Sequence, residues 1–137
     1  MWNVEWMTCK NIKMRHYTHI VVVTKSYQFA LGIIDLYKIL IHQRQEFVMS
    51  KQLLKAGTSV GANIREAQNA ESKLDFIHKL FIAPKECDET LYWLELLHEA
   101  NYLTAVEFDG VIADGRELLR IIKSIIVSTK NMLLHNS

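Results

Sequence analysis

Two cysteines, one proline and five glycines in 137 residues leave the chain with few breaks and little to staple it. Two cysteines cannot build a framework of bridges. Cys9 lies in a polar N-terminal stretch and Cys87 on an apolar helical face, and both read as reduced thiols of a cytoplasmic protein. No unbroken apolar run approaches the ~18 residues of a membrane helix. The opening segment, MWNVEWMTCKNIKMRH, lacks the compact apolar core and small-residue cleavage site of a signal peptide. Charge of one sign is also scarce: the net is +1, so nothing global demands nucleic acid or anionic lipid. There is no Gly-rich phosphate loop after a strand, no CxxC pair, and no nucleophile at suggestive spacing from a base. These absences argue against an enzyme, a cofactor and a membrane partner. What is present is 50% hydrophobic residues interleaved with charge, the composition of one helical globular domain long enough to bury a core.

The most informative stretch is SKQLLKAGTSVGANIREAQNAES, residues 50–72. Counted as a helix, it separates into columns. Leu53, Gly57, Val60, Ile64 and Ala67 recur at steps of four and three, the seam that a bundle helix buries. Gln52, Ala56, Ser59, Asn63 and Glu66 make a column of small and hydrogen-bonding side chains, and Lys51, Lys55, Thr58, Ala62 and Arg65 carry positive charge. Each Gly inside a helix costs about 1 kcal/mol against Ala, so Gly57 and Gly61 need a reason. Close approach of a neighbouring helix supplies one, with Asn63 and Glu66 expected to hydrogen-bond across that contact.

The other helices follow from the same period. Residues 1–24 show none; they are basic, hold the β-branched run Ile20 to Val23, and read as a loose arm or short extended piece, with Met7 and Met14 as further candidate starts. The bundle domain is expected over 25–137. Its first helix should begin at Ser26 as N-cap and run to about 45, with Phe29, Ile33, Leu36 and Leu40 as its seam and Ala30, Ile34, Tyr37 and Ile41 beside it. Ser72 and Asp75 resemble a capping box that opens a third helix over 73–100. Ile77, Leu80, Pro84, Cys87, Leu91, Leu94 and His98 form its seam, and Pro84 should kink or break it near the first turn of a second segment. Thr104 and Glu107 form a regular capping box for a fourth helix that runs to about 133. Val111, Gly115, Leu118, Ile122, Ile125 and Met132 line its seam, with Ile112, Leu119, Ile126 and Leu133 as a second apolar column. Short connections then predict an all-α, antiparallel, up-down-up-down four-helix bundle.

Two pairs have metal-ligand spacing, Asp75 with His78 and Glu95 with His98. Both lie on the third helix, twenty residues or roughly 30 Å apart, so they cannot share an ion and no metal site is expected. Charge distribution says more than its total. Residues 73–103 hold six acids and three bases, whereas residues 1–25 hold four bases and one acid. Lys51, Lys55 and Arg65 form one basic column, and Arg116, Arg120, Lys123 and Lys130 form another. Such columns are often plain solvated faces; their functional alternative is a surface that meets phosphates. No aromatic is interleaved with these bases in the sequence, so a stacking groove for single strands is not indicated.

The run QLLKAGTSVGANIREAQNAESKLDFIHKLFIA, continuing to CDETLYWLELLHEANYL, resembles the four-helix-bundle proteins of the 23S rRNA intervening-sequence type. That group includes the accessory variability determinant proteins of diversity-generating retroelements. The resemblance covers about residues 26–132 and is most specific at Gln52-Leu53, Ser59, Ala62-Asn63-Ile64, Glu66, Phe76, Ala83 and residues 89–97. It implies a homopentameric ring, no catalytic activity, and for some members nucleic-acid and protein partners. Pro84 stands where relatives carry a helix former, and basic residues near Leu54 are reduced. The function expected is a non-enzymatic oligomeric module that binds RNA or another nucleic acid through its basic faces. The rival is a protein-binding adaptor acting with a partner such as a reverse transcriptase, through the apolar second columns and the acidic third helix.

Overall fold

The structure, a computed structural model, describes residues 12–135. They form α1 (Ile12–His42), α2 (Met49–Ala67), α3 (Lys73–Leu80), α4 (Ile82–Glu99) and α5 (Ala105–His135). No strand occurs among the described residues. With α3 and α4 counted as one interrupted rod, the architecture is an all-α four-helix bundle. The rods make a square: α1 packs on α2, α2 on α4, α4 on α5 and α5 on α1. Along α1–α2, Ser26 lies opposite Gly61 and Ile33 opposite Gly57, and along α1–α5, Lys25 meets Glu117 and Arg44 meets Glu107. Along α4–α5, Phe81 meets Lys130 and Glu95 meets Arg116. Each of these pairs of helices therefore runs antiparallel.

The α2 seam is buried throughout, from Leu53 through Gly57, Val60 and Ile64 to Ala67. It meets Phe29, Ile33, Leu36 and Leu40 of α1, Leu94 and Leu97 of α4, and Leu118 and Ile122 of α5 in one core. Close packing explains two glycines. A Cβ on Gly57 would lie 2.8 Å from both γ-carbons of Ile33, and one on Gly61 would lie 3.3 Å from the Ser26 carbonyl oxygen. Gly115 on α5 is similar, since a Cβ there would meet Leu91 at 2.7 Å. Its carbonyl accepts a hydrogen bond from the buried Cys87 thiol at 3.4 Å.

The third rod breaks where its proline requires. The ring of Pro84 would collide with the carbonyl four residues back, which belongs to Leu80, the last residue of α3. Phe81 is the single residue between the segments, and Pro84 sits buried in the first turn of α4. Ser72 caps α3, its hydroxyl accepting the Asp75 N–H at 3.1 Å. The Asp75 carboxylate reaches the N–H of Glu71 instead of that of Ser72, so the box is shifted by one residue. At α5 the box is reciprocal: Thr104 N–H donates to Glu107 at 2.9 Å, and Glu107 N–H donates to the Thr104 hydroxyl at 3.2 Å.

Several expectations need correction. The first helix begins at Ile12 and not at Ser26, so residues 12–24 are neither arm nor strand; residues 1–11 lie outside the described residues. Val22 is in the core, and His19 stacks on Phe76 of α3 with ring centroids 5.2 Å apart. This docking outweighs the low helix propensity of Val21 to Val23, which costs only tenths of a kcal/mol per residue. Ser26 is no cap: it is buried, and its hydroxyl donates to the Val23 carbonyl within the helix. Next, the second column of α5 is largely absorbed by the bundle, with Ile112 and Ile126 buried and Leu119 and Leu133 half-buried. On α4 it is Leu97 that is buried, while His98 stacks on Phe108 at 4.2 Å. Finally, Thr18–His42 is long and apolar enough to cross a membrane by length and composition alone, with a mean hydropathy of 1.3. In the fold its Phe29, Ile33, Leu36 and Leu40 serve the bundle core.

Candidate nucleic-acid interface

The two basic columns occupy opposite corners of the bundle. α2 and α5 lie across a diagonal, their side chains meeting in the core but their backbones not adjoining. Lys51, Lys55 and Arg65 therefore cannot share a face of one subunit with Arg116, Arg120, Lys123 and Lys130. On α5 the column turns toward α4, whose acids meet it: Arg116 lies 3.7 Å from Glu95. Lys130 rests on the Phe81 ring, 4.3 Å from its centroid. Arg120 and Lys123 are exposed. On α2, Lys51, Lys55 and Arg65 are all exposed, and none forms an ion pair with another described residue. The more available positive surface is thus the outer face of α2.

How α2 holds that face follows from its N-terminus. Val48 caps it without a side-chain bond, yet the first turn is not bare. The Glu46 carboxylate accepts the N–H groups of Val48, Met49 and Ser50 at 3.0, 2.9 and 2.6 Å. Burial pushes its pKa up, but the three backbone donors and the Ser50 hydroxyl outweigh this and hold the carboxyl below its usual range. The preceding Gln45 has φ 56°, which aims Glu46 back at the helix start. Beside it, Arg44 donates to both oxygens of Glu107 at 2.9 and 3.1 Å and to the Tyr102 carbonyl, tying the α1–α2 connection to the α4–α5 turn. The Arg44 hydrogen bond, with lesser help from Thr104, holds the Glu107 carboxyl down to about 2 against the effect of burial.

The small-residue column on α2 behaves differently from the expectation. Asn63 donates to the Ser59 carbonyl four residues back at 2.8 Å, within its own helix, and Glu66 is exposed. Thr58 and Ser59 likewise bond back to the Leu54 and Lys55 carbonyls. The close α1–α2 approach rests on Gly57 and Gly61, not on polar bonds across it. What sequence reasoning missed is an aromatic at this edge. Tyr27 of α1 is 56% exposed, and the Arg65 guanidinium lies 5.9 Å from its ring centroid. The two residues stand 38 positions apart, and only the register fixed by the glycines brings them together.

The remaining chemistry is occupied by structural contacts. Asp75 pairs with Lys79 at 3.4 Å, Glu95 with Arg116, and His98 with the Phe108 ring. Among the described residues no group of three His, Cys, Asp or Glu side chains is placed to hold an ion. Burial pushes the Cys87 thiol up to about 12, which makes it a poor nucleophile. A shallow recess between α1 and α5, lined by Lys25, Gln28, Phe29, Asp114 and Glu117, is spanned by the Lys25–Glu117 pair at 2.7 Å.

Comparison with known proteins agrees with this helical frame. No curated protein matches the chain. A crystal structure of a protein of unknown function from the S23 ribosomal protein family of Bacteroides thetaiotaomicron is 50% identical, with a TM-score of 0.78. The similarity covers 80% of this chain and 97% of that one. The family model of the 23S rRNA-intervening sequence proteins matches residues 18–124, which takes in all of α1 but its first six residues, all of α2, α3 and α4, and about two thirds of α5. The chain belongs to the 23S rRNA-intervening sequence protein family.

Proposed function

We propose that the protein is a non-enzymatic module of the cytoplasm that holds RNA or another nucleic acid on the outer face of α2 and works as a homo-oligomer. The observation that carries this reading is the exposed column Lys51, Lys55 and Arg65, unpaired with any described acid. Three such side chains on one subunit attract phosphates weakly. Repeated around a ring, they meet one polyanion many times and gain through effective concentration. Family resemblance favours a pentamer.

The bundle also offers a surface for assembly. Tyr92 and Leu96 are exposed on α4 among Asp88, Glu89, Glu95 and Glu99, while Arg120, Lys123 and Val127 are exposed on α5. Acidic and basic apolar faces on one chain favour a head-to-tail contact, the kind that closes into rings. The same acidic face of α4 supports the second reading, an adaptor that docks a partner protein there.

Charge reversal of Lys51, Lys55 and Arg65 together tests the first reading. It should weaken retention of structured RNA and flatten its salt dependence, with the mass of the assembly unchanged in light scattering. A parent oligomer that fails to retain RNA at low salt would leave the adaptor reading in its place. A mass of one chain at micromolar concentration would remove the oligomer.

A further inference from the structure

The edge between α1 and α2 joins a flat apolar ring to a cation at the end of the basic column. Tyr27 is exposed over more than half its surface, and Leu31, one turn further along the same face of α1, is also exposed. Arg65 leans over the Tyr27 ring at 5.9 Å, near the outer limit of about 6 Å for a cation–π contact. The contact is a loose one beside a largely exposed residue, and no described residue takes an ion pair from the guanidinium. The pair at the opposite corner differs. Lys130 sits 4.3 Å from the Phe81 centroid and covers a ring that is only 39% exposed.

The placement of Tyr27 is a consequence of the backbone. Gly61 lies against the Ser26 carbonyl, the residue beside Tyr27, so the helices meet where the aromatic emerges. Arg65 stands one turn beyond Gly61 on α2, and Lys55 and Lys51 continue the positive surface back along the same helix. An aromatic face beside a guanidinium suits an unstacked nucleotide: the base lies on the ring, and the adjacent phosphate accepts from the planar fork of donors. A duplex keeps its bases stacked on each other and can use only the cations.

We infer that Tyr27 and Arg65 form a nucleotide subsite, with the base on the Tyr27 ring and a phosphate on Arg65, and that this edge selects single strands over duplex. The inference rests on the nucleic-acid reading above and names the form of nucleic acid it favours. Stacking is tolerant of base identity, so little sequence preference accompanies it.

The test is fluorescence anisotropy of the full chain at low salt, with a labelled single-stranded oligoadenylate and a mixed-sequence duplex of equal length as probes. The parent should bind the single strand about tenfold more tightly. Tyr27→Ala should weaken single-strand binding about tenfold, in line with the loss of one stacked base, and leave duplex binding within about twofold. Tyr27→Phe keeps the ring and should bind as the parent does. Lys55→Glu should weaken both probes. Tyr27→Gln serves as a second variant should Tyr27→Ala lose its helical circular dichroism. Single-strand affinity unchanged in Tyr27→Ala and Tyr27→Gln, or lowered equally for both probes, overturns the subsite while leaving the nucleic-acid reading intact. A parent that binds neither probe overturns both.

Discussion

Replacing Gly57 by alanine sets two effects of similar size against each other. In an open helix interior, Gly→Ala contributes about 1 kcal/mol through lower backbone entropy in the unfolded chain. At Gly57 the new Cβ would lie 2.8 Å from Ile33 Cγ1 and Cγ2 and 3.1 Å from Ile33 Cβ. Carbon atoms sit at about 3.5–4.0 Å, so α1 or the Ile33 side chain must yield by well over half an ångström. Ile33 is fully buried, and its β-branched side chain has little rotamer freedom to do so. Overfilling a dense core costs about 1–3 kcal/mol, so the net effect of Gly57→Ala should range from neutral to a loss of about 2 kcal/mol. Gly32 and Gly110 are internal controls, because a Cβ at either meets nothing within 4 Å. Gly110→Ala should stabilise by the propensity gain of about 1 kcal/mol. Urea denaturation followed by circular dichroism reads both, and the difference between the two variants should be about 1–3 kcal/mol. Combining Gly57→Ala with Ile33→Ala should recover part of the clash cost, since the contact is shared. If Gly57→Ala and Gly110→Ala stabilise equally, the close-approach account of α2 is wrong.

The Arg44–Glu107 clamp gives a pH prediction. The folded carboxyl, at about 2, lies below its ordinary range near 4.5, so its stabilisation is present above that range and lost as pH falls toward about 2. Glu107→Gln should make the melting temperature less steeply dependent on pH across this window; an unchanged acid limb would refute the clamp. At Pro84 the rod is already broken, so Pro84→Ala should change stability by less than about 1 kcal/mol, against the ~3 kcal/mol expected in a straight helix. A gain of the larger size would show that the proline strains the native fold. In a Cys9→Ser background, Cys87 should resist iodoacetamide near pH ~8 until the protein unfolds, because its thiol is buried and titrates at about 12. Rapid labelling of the native protein would contradict that burial.

The α2 seam was legible because one helix with one buried side imposes its period on the residues, and Leu53 to Ala67 carry that period without interruption. Pro84 was legible for a local reason, since its ring dictates where the neighbouring turn must open. The start of α1 was not. Residues 12–24 lack a clear stripe; Val22 lies in the core and His19 stacks on Phe76 of α3, long-range packing with no local signature. Glu46 was hidden for another reason: it caps α2 from outside the helix, through a turn that depends on the positive φ of Gln45. The basic columns could be read one at a time, but their separation across the diagonal is a property of how the rods are ordered in space. The Tyr27–Arg65 pair needs that order and the glycine register together.

The short α3 has a further consequence for motion. At eight residues it is well below the length at which a helix persists alone, and it is held by Ser72 at its start and by Phe76, Ile77 and Leu80 in the core. It covers the end of α1 that lies beyond the C-terminus of α2, as the His19–Phe76 stack shows. Detachment of α3 would uncover that end without disturbing Leu53, Val60 or Leu94 at the centre of the bundle. Amide exchange should accordingly divide the molecule into two cooperative units. The amides of α3 and of the first turns of α1 should exchange together through a sub-global opening, and those of α2 and mid-α1 only with complete unfolding.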